Sequence, residues 1–190
     1  MPPRERFSGA GIYAIYYTGD FPAYGAVAAK NRDGQFALPI YVGEAVREGS
    51  RKGGLLSDDK PTYKLHARLR EHARSIEQAA NLAIEQFHYR HLEVDDIWIP
   101  LGEALMITTF SPVWNKKLEG FGIHTPGGNR PQTTSPWDTL HPGRPFVQRV
   151  RLLPNPVDQE GWMRIVREYL ALPPRSQAAE PTVEAGDTVE

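Results

Sequence analysis

The stretch GIYAIYY at residues 11–17 constrains the fold most. It alternates Tyr13, Ile15 and Tyr17 with Ile12, Ala14 and Tyr16, so a strand here presents apolar side chains on both faces. Such a strand is stable only when both faces are covered. A second tyrosine-bearing strand follows at 39–43 in PIYVGEA, across a loop (19–38) rich in Gly, Pro and Ala. Adjacency in sequence favours antiparallel pairing of the two through a wide hairpin. IEQFHYRHLEV (84–94) alternates Phe87, Tyr89 and His91 with His88, Arg90 and Leu92, the pattern of a third strand.

Helices fill the intervals. Pro61-Thr62 opens one that runs to about Ala80, with Leu65, Leu69, Ala73, Ile76 and Ala80 within about 40° of a single direction. Arg68 and His72 share one edge of that core stripe, where a site can be shielded from water, and Arg70 and Arg74 share the outer edge. Pro100 fits the first turn of a second helix in IWIPLGEALMITTF, which is apolar almost all round and reads as buried. A last amphipathic helix around 158–171 carries the stripe Trp162, Ile165, Val166 and Tyr169.

At 190 residues with 40% hydrophobic and 24% charged content, one compact domain is expected, and 17 Pro with 17 Gly call for long ordered loops. The chain has no cysteine, which excludes disulfides and thiolate metal sites and leaves hard cations open. No run approaches a membrane span, and MPPRERFSG lacks a secretory apolar segment, so a cytoplasmic protein is expected. The formal net charge of −1 conceals an uneven distribution, because residues 176–190 hold Glu180, Glu184, Asp187 and Glu190 and no cation. Residues 173–190 read as an acidic disordered tail. Between Glu44 and Arg74 lie Arg47, Arg51, Lys52, Lys60, Lys64, Arg68, Arg70 and Arg74, which suit either a solvated face or a phosphate-binding one. Arg51 and Lys52 sit among Gly49, Gly53 and Gly54, a combination fit for phosphate contact.

Glu103 is the one carboxylate in the apolar second helix. A buried carboxylate costs several kcal/mol unless it is paired or bound to a cation. It reads either as a charge near a helix N-terminus or as a Mg²⁺ ligand, since Mg²⁺ often binds one or two carboxylates plus water and phosphate oxygens. With Arg68 for a phosphate and His72 for proton transfer, the second reading gives a phosphodiester site. His88 and His91 point to opposite faces of a strand and do not clamp one zinc ion. His66 and His124 read as surface or supporting residues. There is no G-x-S-x-G elbow, no phosphate-binding P-loop and no dinucleotide fingerprint.

The order of these features, GIY at 11–13, YVG at 41–43, Arg68 with His72, Glu103 and then Asn115, resembles the GIY-YIG nuclease superfamily over about residues 9–120. GSRKGG, LREHARSI, DIWIPLGEAL, PVWN, GFGIH and WDTLHPGRP resemble more narrowly its type II restriction endonucleases that cut the palindrome CCGCGG. The resemblance implies a mixed α+β fold, a small three-stranded antiparallel sheet flanked by helices, with long ordered loops and a C-terminal helix. It implies one nuclease domain over 1–172, with the catalytic core at about 9–120 and an extension at about 121–172.

It further implies cleavage of double-stranded DNA with one divalent ion, Mg²⁺, per active site. On that resemblance Glu103 matches the metal ligand, Tyr13 the tyrosine that orients or deprotonates water, and Tyr41 a holder of water or phosphate. Arg68 matches the arginine on the scissile phosphate, His72 a proton acceptor, and Asn115 the asparagine that orients the site. Glu44 departs from the lysine common after YIG; His72, Arg47 or Lys52 would have to assist Tyr13 instead. Glycines 11 and 43 are expected to leave the backbone open to a phosphate. A palindromic target implies a homodimer, with a cognate DNA methyltransferase as companion and no membrane partner. Arg51, Lys52, Arg70 and Arg74 are the expected DNA contacts. A structure-selective repair or mobile-element nuclease, and a DNA-binding module without activity, are the competing readings.

Overall fold

The computed structural model describes residues 1–47, 61–122 and 133–171. Arg51, Lys52, His124 and the acidic tail lie outside the described residues. β1 (Gly11–Tyr17) is buried along its whole length, as its two apolar faces require. It is the middle strand of an antiparallel sheet of order β2-β1-β3, flanked by β2 (Tyr41–Ala45) and β3 (Phe87–Glu93). The fold is mixed α+β, with a final helix α7 (Gln159–Ala171).

The face of β1 bearing Tyr13, Ile15 and Tyr17 joins the main core with Leu65, Leu69 and Ile76 of α2 (Lys64–Glu77). The expected stripe of this helix is fully buried up to Ile76; Ala80 lies beyond its end and is exposed. Hydrogen bonds from Gly9 N to Thr62 O and from Leu65 N to Gly9 O tie the start of α2 to the lead-in of β1, which sets the helix over Tyr13.

Two expectations are corrected. The loop at 19–38 contains a helix, α1 (Gly25–Asn31), whose Val27 and Ala28 are buried in the main core. Its short, Ala-rich sequence carries no long periodic signal. The second correction concerns α3 (Ile99–Phe110), which is not buried. It lies on the sheet face of Ile12, Ala14 and Tyr16 through Ile99, Met106 and Ile107. Trp98, Leu101 and Leu105, at i, i+3 and i+7, are 56%, 62% and 64% exposed. Apolar content shows that a helix needs cover on all sides, and among the described residues only one side is covered.

The remaining helices are short: α4 (Val113–Lys116), α5 (Pro136–Leu140) and α6 (Pro145–Arg149). Val166 of α7 and Trp137 of α5 are fully buried in the same core cluster as Tyr13. No helix among the described residues is long and apolar enough to cross a membrane.

Candidate active site

Tyr13 and Gly43 are directly opposed across the β1–β2 ladder. A Cβ at Gly43 would stand 2.4 Å from the Tyr13 hydroxyl and 2.7 Å from its Cζ. Glycine is therefore required at 43 because the Tyr13 ring crosses over it, and not to admit a phosphate as expected. Gly11, at φ +154°, answers a similar need: a Cβ there would lie 2.0 Å from the Leu92 carbonyl oxygen of β3.

The Tyr13 hydroxyl is hydrogen-bonded to His72 Nε2 at 2.6 Å. Both residues are buried, His72 completely. Burial, aided by neighbouring Tyr41, pushes the Tyr13 hydroxyl well above its ordinary pKa; Arg68 opposes the shift and Glu103 adds to it. A hydroxyl so reluctant to ionise keeps its proton, and it donates to Nε2 in the tautomer that carries the ring proton on Nδ1. Tyr41 is raised chiefly by burial as well, again with Arg68 lowering and Glu103 raising it. One cation and one carboxylate thus act on the same two hydroxyls.

The Arg68 guanidinium is paired with Glu71 at 2.9 Å. Burial works against its charge, but Tyr13 and Glu71 outweigh that cost and its pKa moves up. Glu103 is half-buried on α3 rather than enclosed, so its expected desolvation is relieved by solvent. That setting suits a hard cation held by one carboxylate, with water and phosphate oxygens completing its shell. Among the described residues there is no group of three or more His, Asp or Glu that could hold a metal ion. His88 lies opposite Tyr16 and packs on Phe36, whereas His91 lies opposite Tyr13 and stacks on Phe7 at 4.5 Å, so the two occupy opposite sheet faces.

Asn115 takes part through the backbone. Its Oδ1 accepts from Val42 N and its Nδ2 donates to Val42 O, both at 2.8 Å. The side chain thereby imitates a neighbouring strand along the outer edge of β2, and Trp114 N adds a bond to Ile40 O. Glu44 faces Ile12 across the ladder and so lies on the α3 side of the sheet, away from the Tyr13 face. Arg70 and Arg74 are exposed on the outer edge of α2, as expected. The structure thus brings Tyr13, Tyr41, Arg68 and His72 together, with Glu103 acting on both hydroxyls.

Sequence patterning missed Phe121. Its ring stacks on His72 at 4.6 Å and 17° and meets Tyr41 edge-on at 5.0 Å. Phe121 falls within GFGIH, in irregular chain where no periodicity assigns it a neighbour. The fully buried His141 was also missed.

The Eco29kI GIY-YIG domain model matches residues 5–170, which include each of the described residues that surround Tyr13. No curated protein matches the chain. The chain belongs to the Eco29kI GIY-YIG family, a family of restriction endonuclease domains.

Proposed function

We propose that this protein is a type II restriction endonuclease that hydrolyses double-stranded DNA with Mg²⁺, at the palindrome CCGCGG. The observation that carries the reading is the buried Tyr13–His72 hydrogen bond, with Arg68 and Glu103 both acting electrostatically on the Tyr13 hydroxyl, in a chain of this family. Tyr13 holds the attacking water at its oxygen; as the water attacks phosphorus, its proton passes to Tyr13 while the Tyr13 proton passes to His72 Nε2. The phosphorus–oxygen bond to the leaving strand breaks as the new one forms. Arg68 balances the charge that develops on the phosphate. Tyr41 orients the water or a phosphate oxygen, and Asn115 keeps β2 at the right distance. When bound at Glu103, one Mg²⁺ per site would stabilise charge on the leaving oxygen.

The raised Tyr13 pKa fits this relay. A tyrosine that stays neutral does not need the lysine that Glu44 replaces, because its proton has a destination in His72. Arg70 and Arg74, with Arg51 and Lys52, would contact the DNA, their number setting the salt dependence of binding.

Residues 1–172 form one nuclease domain in this reading, supported by the shared core of Tyr13, Trp137 and Val166. A palindrome is read most economically by a two-fold dimer. The stripe Trp98, Leu101 and Leu105 supports a second copy of this chain as its cover, since α3 carries no charge other than Glu103. The enzyme would act in the cytoplasm, beside a DNA methyltransferase that protects the host's own sites.

Digestion of a plasmid with one CCGCGG site, with Mg²⁺ or with EDTA, tests the reading. One discrete Mg²⁺-dependent cut is expected. Cleavage confined to branched or damaged DNA would point to repair, and binding without cleavage of any substrate would overturn a catalytic role.

A further inference from the structure

We infer that Phe121 is a positioning residue for His72, and that a buried Arg144–Asp138 clamp holds Phe121 in place. This rests on the nuclease reading above and concerns how its proton acceptor is oriented.

An imidazole turns easily about χ2, a broad torsion with no sharp minima. The Tyr13 hydrogen bond holds Nε2 of the His72 ring, and packing against the faces of the ring bears on its plane. The near-parallel face of Phe121 supplies that packing at 4.6 Å. Phe121 is itself wedged against Trp114 at 4.4 Å and Trp137 at 5.3 Å. The next residue closes the arrangement, because a Cβ at Gly122 would stand 3.3 Å from the Tyr41 hydroxyl and 3.7 Å from His72 Cε1.

The 120–122 turn belongs to no helix or strand, so its carbonyls need other donors. One guanidinium serves two of them. Arg144 Nη2 donates to Gly120 O at 2.9 Å and Nη1 to Phe121 O at 3.0 Å. The same guanidinium donates to both Asp138 oxygens at 2.6 Å, from Nε and Nη2, while Ser135 Oγ donates to Asp138 Oδ2 at 2.6 Å. Trp137 and Phe146 lie against it at 4.6 and 4.8 Å. Gly120, at φ +110°, lets the turn dock on Ser135, whose Oγ would be 2.2 Å from a Cβ.

The buried Arg144–Asp138 pair is by itself a weak source of stability; its distinctive contribution is the pair of carbonyls that the same guanidinium holds. What apolar residues lack is a rigid fork that fixes two carbonyls and a carboxylate in one plane. The clamp therefore sets geometry, and the geometry it sets ends at His72. WDTLHPGRP, which supplies Trp137, Asp138 and Arg144, acquires a role in the site through this chain of contacts.

The test uses the full-length protein on the cleaved plasmid. Phe121→Leu removes the planar face, and Phe121→Met, which is unbranched and more adaptable, serves where leucine prevents folding; circular dichroism verifies each fold. A fall in kcat of about 10-fold or more, with KM for DNA within about 2-fold, is expected of a misoriented proton acceptor. In a His72→Gln background, single-turnover rates should register less than about 2-fold from the same change, because the two residues act as one unit. Histidine ¹⁵N spectra should show one ordered His72 ring in the parent protein and averaged tautomers in the variants. Unchanged kcat in a folded variant, or an undiminished loss in the His72→Gln background, overturns the inference. A parent protein that cuts no DNA would instead sink the nuclease reading, and the histidine spectra would still decide whether Phe121 orders His72.

Discussion

Tyr13 and His72 stand 59 positions apart and share one buried hydrogen bond of 2.6 Å, so each side chain's function depends on the other's placement. Replacing His72 by Phe keeps a ring between Tyr13 and Phe121 but removes the proton acceptor of the proposed relay. Cleavage should fall by about 10²-fold or more, the usual worth of a positioned acid or base, with DNA affinity in EDTA within about 2-fold. Gel shift beside plasmid digestion measures both, and full cleavage by the variant would remove His72 from the reaction. Glu103→Gln preserves shape and loses charge; cleavage should drop about 10³-fold, since charge stabilisation by a metal is worth several kcal/mol. Tyrosine titration followed by ultraviolet difference spectra should move to lower pH in Glu103→Gln, because Glu103 raises both Tyr13 and Tyr41.

Among the elements, those with a clear period were legible in the sequence and those defined by partners were not. Alternation in GIYAIYY fixed β1 as a strand covered on both sides, and the Leu65, Leu69, Ile76 stripe located the buried face of α2. Neither pattern states what lies beyond the element's own surface. That is why α3 read as buried although Leu101 and Leu105 are open, and why Phe121 in an irregular turn gave no sign of its contact with His72. Two changes probe the element scale. Asn115→Ala removes two 2.8 Å bonds from the edge strand β2 and should cost about 1–3 kcal/mol with slower cleavage, read by urea melts and digestion. Leu101→Glu with Leu105→Glu places two charges on the α3 stripe. Light scattering after size exclusion should show the proposed dimer for the parent and a monomer for the variant, and a dimeric variant would place the interface elsewhere.

For the whole molecule, acid stability should depend on one fully buried histidine remote in sequence from the core it serves. Trp114 Nε1 donates to the Tyr24 hydroxyl at 2.8 Å, and Tyr24 is bonded in turn to His141 Nε2 at 2.5 Å. On the other side, His141 Nδ1 meets Asn81 Oδ1 at 2.8 Å, while Asn81 Nδ2 donates to Leu140 O. Asn81 offers an acceptor, so Nδ1 carries the proton and Nε2 accepts from Tyr24: the ring is held neutral by partners from two separate segments, Tyr24 and Asn81. Burial lowers its pKa from 6.5 to about 3. The unfolded chain therefore binds a proton that the folded one refuses, and the stabilisation, complete above about pH 6.5, is lost as pH falls towards about 3. At pH 5 the loss should be about 2 kcal/mol, from roughly 1.5 pK units at about 1.4 kcal/mol each. Replacing His141 by Gln removes the titrating ring, so the variant, though less stable at pH 7.5, should lose less stability on going to pH 5. Urea denaturation of both proteins at the two pH values measures the difference, and parallel losses would show that acid acts on this fold elsewhere.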